Sequence, residues 1–189
     1  MIFFSVCADQ WQAMKADAGV YWSKRAGNSL LNSILHIFIT HGWHVMILFR
    51  LGKIIYAFPV PGISHILKVI FQVIWFLVTT LYGIYIDLSS NIGKGFYIGH
   101  FGAIVVGGNV GDFCSIGQGV TIGYKGGGKS DKWPTIMNNV YIGVGSKVIG
   151  DISIGSDSII GANAVVTKSF PNNSLLVGIP AKNIKSDHL

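Results

Sequence analysis

Between Ile86 and Val166 an Ile or Val stands at every sixth residue, with a single interruption. The first run is Ile86, Ile92, Ile98, Ile104, Val110, Ile116 and Ile122; the second is Ile136, Ile142, Val148, Ile154, Ile160 and Val166. Ile and Val supply only 44 of the 189 residues, so thirteen hits in register would arise by chance with a probability on the order of 10⁻⁸. A Gly follows eight of the thirteen: Gly93, Gly99, Gly111, Gly117, Gly123, Gly143, Gly155 and Gly161.

Six is not a helical period, and plain strand alternation would not single out one branched residue in six. Short strands joined by sharp corners satisfy it. Each side of such a coil points one β-branched residue at the axis, stacked on its equivalent in the next coil, and the Gly is expected to relieve an unusual φ/ψ at the corner. The predicted fold is mainly β, a parallel β-helix with three sides of six residues and coils about 4.8 Å apart. The eight extra residues between Ile122 and Ile136 must leave the coil as a loop within 124–134, and an extended loop on a rigid scaffold is a place for function.

The remainder divides as an N-terminal helical region, 1–82, ahead of the β-helix and its C-terminal tail, 83–189. Ser29 to Phe58 and Ile63 to Tyr85 are two apolar stretches broken at Pro59-Val60-Pro61-Gly62, which predicts a helical hairpin. Each carries a polar seam: Ser29, Ser33, His36, Thr40 and His44 in one, His65, Lys68, Gln72 and Thr79 in the other. Broad apolar faces with such a seam suit helices packed on neighbours or lying in a membrane interface. The expected location is cytoplasmic, with peripheral contact to the inner face of the membrane as an open alternative. Met1 to Trp11 lacks a basic start and contains Asp9, so no cleavable signal is expected there.

The net charge of +6 comes with no dense basic run, which argues against nucleic acid as a partner. Cys7 and Cys114 lie far apart; Cys114 occupies a small-residue slot of the repeat and reads as a packed thiol. No spacing of metal ligands is present, and no metal is expected.

Tandem hexapeptides of this form resemble the left-handed parallel β-helix acyltransferases. The resemblance narrows to the serine acetyltransferase branch through Gly42-Trp43-His44, Arg50, Ile98-Gly99-His100, Gln118-Gly119-Val120-Thr121-Ile122-Gly123, Ile142-Gly143-Val144-Gly145, Ile160-Gly161-Ala162-Asn163-Ala164-Val165-Val166 and Val177-Gly178-Ile179-Pro180-Ala181-Lys182. That branch includes O-acetyltransferases of surface-polysaccharide synthesis. The resemblance implies a homotrimer with sites at subunit interfaces and acetyl-CoA as co-substrate.

Acyl transfer from a thioester to a hydroxyl needs a base for the hydroxyl proton, and imidazole, with an ordinary pKa near ~6.5, is suited to it. By resemblance His100 is that base. The family's orienting acid falls on Tyr85 in this chain, and Asp87 two residues on is the nearest carboxylate; either flanks the inward Ile86. Lys132-Trp133-Pro134 stands where serine-specific members place a basic residue and a second histidine before the loop-ending proline, so the histidine is lost to Trp133, and Gly99 replaces an acid beside the base. Lys132 and the flat face of Trp133 therefore suggest a saccharide hydroxyl as acceptor in surface-polysaccharide synthesis, with serine O-acetylation in cysteine synthesis as the alternative. The resemblance assigns coenzyme A to Val144, Ala162, Ala164, Lys168, Pro180 and Lys182. Gly123-Tyr124-Lys125-Gly126-Gly127-Gly128-Lys129-Ser130 matches the phosphate-loop pattern, yet Asp131-Lys132-Trp133-Pro134 follows where that chemistry requires a helix.

Overall fold

A computed structural model describes residues 2–23, 39–126 and 132–184. Three helices precede the β-helix: α1 (Ile2–Ser23), α2 (His41–Ala57) and α3 (Ile63–Tyr82). Residues 24–38, which hold the start of the expected first apolar helix with Ser29, Ser33 and His36, lie outside the described residues, as do Gly127 to Asp131 of the long loop. The Pro59–Gly62 break joins α2 to α3, and Gly83 ends α3 in the left-handed conformation, φ 61°.

From Ile84 the chain winds into a three-faced solenoid. The first face stacks five short strands from Ile84–Ile86 to Val165–Val166; the second stacks four, from Asn91–Ile92 to Ser153–Ile154. The third face stacks six, from Tyr97–Ile98 to Lys182–Asn183. Every pairing is parallel except the last, where Lys182–Asn183 turns back antiparallel on Leu175–Val177 and closes the upper end. All thirteen residues of the Ile/Val ladder are buried, none more than 7 % exposed. They form one apolar column with Phe96, Cys114, Val120, Val140, Ala164 and Leu176. Burying a branched side chain at each step stabilises the column by roughly 1.5–3 kcal/mol per residue.

Two expectations need correction. Ile86 does not stack on Ile104: its partner is Val106, which in turn pairs with Ile122. Eight residues separate Ile98 from Val106 and only four separate Val106 from Val110, so one corner is wider by two residues and the next is tighter by two. The wide corner is His100-Phe101-Gly102-Ala103, with Gly102 and Ala103 at φ 101° and 53°. The tight one is Gly107-Gly108.

The second correction concerns the glycines after the ladder residues, none of which has a positive φ. At Gly93, Gly111, Gly117, Gly143 and Gly155 crowding selects glycine instead, whereas Gly123 faces open space. A β-carbon on Gly143 would stand 2.7 Å from Ala162 N and Ile160 O of the coil above. The left-handed corner position comes two residues later, at Gly119, Gly145 and Asn163 on one edge.

The lowest coil has no β-strand beneath it, and the helices supply its missing partners. Phe96 N donates to Asp17 Oδ1 (3.0 Å) and Ile98 N to the Tyr21 hydroxyl (2.9 Å). Arg50 donates to Ile92 O and Gly93 O, both at 2.6 Å, and to Asp17. Gly42 lets α2 approach, since a β-carbon there would lie 2.6 Å from Ile98 O. An open strand edge is thereby capped from below.

Candidate active site

The widened corner thrusts His100 out at the edge between the third and first faces, where its side chain is exposed. Beside it opens a pocket of about 160 Å³ whose polar groups come from Thr40, His41, Tyr97 and His100, and whose apolar wall is Ile39 and Phe101. His41 is held by two rings: its centroid lies 4.3 Å from that of Phe101 and 4.6 Å from that of Tyr82. The Tyr82 hydroxyl is in turn 3.2 Å from His44 Nδ1. His41 and Tyr97 were missed as site residues in the sequence, because only folding α2 against the third face brings them to His100.

Above His100 the same edge repeats coil by coil. Gly99 N donates to Ile116 O, Gly117 N to Ile142 O, Gly143 N to Ile160 O and Gly161 N to Leu176 O. His100, Gln118, Val144 and Ala162 follow these four glycines, so they form one row up the edge, roughly 14 Å from first to last at about 4.8 Å per coil. Val144 and Ala162 are exposed on it. The Gln118 Oε1 is buried on this row without a hydrogen-bond partner among the described residues. Pro180 follows a cis Ile179–Pro180 bond at the upper end, where Gly178 O accepts from Val165 N. Lys182 is exposed in the closing strand, and Lys168 reaches over the Phe170 ring, 5.8 Å from its centroid.

Ala164 is not on this row. Its methyl is fully buried in the core, its N–H donates to Gly161 O and its carbonyl accepts from Lys147 N, so it has nothing left to offer a cofactor.

Asp87 also lies elsewhere in the chain. Its Oδ1 accepts from Ser89 N (2.7 Å) and Ser89 Oγ (2.6 Å), and it lines a groove with Tyr56, Gln72 and Tyr85 at the foot of the first face. Burial first, and then Asp87 as a neighbouring negative charge and hydrogen-bond partner, pushes the Tyr85 phenol up. Burial and the nearby Arg50 hold the Lys53 ammonium down, with Asp87 opposing them. Within one chain the carboxylate serves this cluster and not the imidazole.

The Trp133 ring is laid over the tight corner: any β-carbon on Gly107 would fall inside it. Tyr124 packs edge-on against it at 5.5 Å, and Lys132 pairs with Asp151 at 3.3 Å. These contacts fasten the two described ends of the long loop to the solenoid. Neither Lys132 nor Trp133 lines the His100 pocket. Among the described residues, no three His, Cys, Asp or Glu side chains gather as a metal site.

Residues 134–168 match the family model described as bacterial transferase hexapeptide (six repeats). The chain is similar to the serine acetyltransferase of Synechococcus elongatus, 35 % identical over 145 residues, which covers 76 % of this chain and 57 % of the relative. It is 43 % identical over 107 residues to that of Helicobacter pylori, covering 56 % of this chain and 63 % of the relative. The chain thus spans about three fifths of the length of the curated relatives it matches. Among solved structures, a serine acetyltransferase from Brucella abortus in complex with coenzyme A superposes over 97 % of this chain and 70 % of its own, with TM-score 0.80 and 26 % identity. One from Neisseria gonorrhoeae covers 94 % of this chain and 65 % of its own, at TM-score 0.77 and 26 % identity. The expectation of a saccharide acceptor in polysaccharide synthesis is overturned by these likenesses, which run to serine acetyltransferases, and by Trp133, whose ring lies on Gly107 and away from the pocket. In fold the chain is a parallel β-helix of hexapeptide repeats, the architecture it shares with these serine acetyltransferases.

Proposed function

We propose that the chain transfers an acetyl group from acetyl-CoA to the hydroxyl of L-serine, with His100 as general base. One observation carries the reading: an exposed imidazole stands at the foot of a row of small, crowded corners, in a fold shared with serine acetyltransferases. The row of Val144 and Ala162 and the terminal Pro180 and Lys182 would hold coenzyme A, whose extended arm needs a groove without bulky side chains. Lys182 would meet a phosphate.

The imidazole takes the proton of the serine hydroxyl as its oxygen attacks the thioester carbon. The new C–O bond forms, the tetrahedral oxyanion collapses, and the C–S bond breaks. The imidazolium then returns the proton to the departing thiolate, leaving O-acetylserine and free coenzyme A. No covalent enzyme intermediate is needed, since among the described residues no activated nucleophile stands by His100. The assembly we propose is a homotrimer, in which a neighbouring copy walls the exposed edge and turns the row into a groove.

No carboxylate lines the pocket among the described residues. The serine ammonium therefore relies on hydroxyl and carbonyl oxygens or on the neighbouring copy, and a high KM for serine is expected. The test is thiol release from acetyl-CoA with L-serine. His100→Ala should lower kcat by roughly 10²–10⁴-fold while coenzyme A binding by calorimetry is retained. Unchanged turnover in His100→Ala would overturn the role of the base. Thiol release by the wild-type chain that does not rise with added serine would overturn the acceptor.

A further inference from the structure

Helix α3 is apolar on both sides. The side it turns inward carries Ser64, Phe71, Trp75 and Thr79, two of them polar, and Thr79 Oγ1 bonds back to Trp75 O at 2.7 Å. Gln72 reaches across to the Tyr56 hydroxyl of α2. The outward side is apolar but for Thr80: Ile66, Val69, Val73, Phe76, Leu77 and Leu81 are each 56–76 % exposed. At 20 residues the helix is about 30 Å long, and the exposed strip runs its full length. Past the proline turn Val60 is exposed, and Ile2 and Phe4 of α1 line an apolar groove with Phe58 and Pro59. A soluble helix places its apolar stripe on the core and its polar side in water. Here Phe71 and Trp75 do pack on the core, yet the outward side is apolar as well, and that strip exceeds what scattered surface residues require.

Charge decides between the possible occupants. From Ala18 to Ile86 the chain contains no acidic residue, yet it contains Lys24, Arg25, Arg50, Lys53 and Lys68. Of the described cations, Arg50 is neutralised by Asp17 beneath the solenoid. Lys68 lies half-buried on the α2-facing side of α3, with its ammonium 5.4 Å from the centroid of the Tyr56 ring, and His65 is exposed one turn before Val69. A second copy apposed on this strip would set like charges against like. An anionic bilayer surface would meet the apolar strip with acyl chains and the acid-free, net basic helical region with headgroup phosphates.

Spanning is disfavoured by the partners of α3. Its inner side is bound to α2, and α2 is tied by Arg50 to Ile92 O and Gly93 O of the solenoid, so it cannot follow α3 across a bilayer.

We propose that α3 and the Pro59–Gly62 turn are a peripheral membrane-docking surface, lying in the plane of an anionic leaflet. The solenoid and the His100 edge then stand above the membrane.

The full chain is tested by co-sedimentation with phosphatidylcholine vesicles, with and without about 30 % phosphatidylglycerol. Binding should require the anionic lipid, weaken with salt, and fall at least about tenfold in the triple variant Ile66→Glu/Val73→Glu/Leu77→Glu. These side chains are exposed, so the variant's circular dichroism should match wild type. A second readout uses Val73→Cys labelled with a polarity-sensitive fluorophore, whose emission should shift to the blue on adding anionic vesicles. No sedimentation with either vesicle, or sedimentation unchanged by the triple substitution, would overturn the proposal. So would Val73→Cys chains that cross-link copy to copy and exclude vesicles, because a second copy would then cover the strip.

Discussion

Asp17 and Arg50 form an ion pair, 3.1 Å from Oδ2 to Nε, with both side chains at most 2 % exposed beneath the first coil of the β-helix. The pair joins α1, α2 and the solenoid because each partner also bonds backbone of the lowest coil. Burial pushes the Asp17 carboxyl up, while Arg50 and the amide of Phe96 pull it back. Removing one member leaves the other charged and buried. Asp17→Ala should therefore cost about 3–5 kcal/mol, read from the denaturant midpoint. The double variant Asp17→Ala/Arg50→Met should cost clearly less than the two single changes added together.

Crowding between coils and a free surface predict opposite outcomes for two glycines of the same repeat. Gly143→Ala drives a methyl to 2.7 Å from backbone atoms of the next coil and should lose roughly 1–3 kcal/mol. Gly123→Ala meets nothing within 4 Å and has an ordinary φ, so its thermal midpoint should stay within about 1 °C of wild type or rise slightly.

Cys114 is fully buried, and burial pushes its thiol up to about 11, with Asp112 adding to the shift and backbone amides opposing it. An unfolded thiol loses its proton near ~8.5, well before the folded one. Between those values the unfolded chain binds fewer protons, so stability falls as pH rises from about 9 towards 11. Cys114→Ala should flatten that slope relative to wild type, by up to roughly 2 kcal/mol across the window. Parallel slopes in the two proteins would show that the thiol does not titrate there.

Trp133 fixes the loop by covering Gly107, so relief or crowding at that contact should loosen the loop specifically. Gly107→Ala displaces the ring and should cost about 1–3 kcal/mol. Trp133→Ala removes the anchor. Both should speed proteolytic cutting between Tyr124 and Trp133, which limited digestion and mass spectrometry would locate. Cutting at the wild-type rate in both variants would separate the ring from loop anchoring.

The loop-bearing solenoid was legible in the residues because its driving force is periodic and local. A branched apolar side chain every sixth residue can be buried only by winding the chain on itself, and all thirteen are buried. The place of His100 on an edge follows from the same count. The shape of that edge does not. A corner two residues wider and the next two residues tighter leave the spacing of twelve between Ile98 and Val110 unchanged, so the widening at His100 has no signature in the period. Pairings distant in sequence decided the rest: Asp17 with Arg50, His41 beside His100, and Trp133 on Gly107. They arise from which surfaces meet once the coils have stacked. Ala164 makes the same point from the interior, since its motif fitted a cofactor contact while the stack consumed its side chain and both backbone groups.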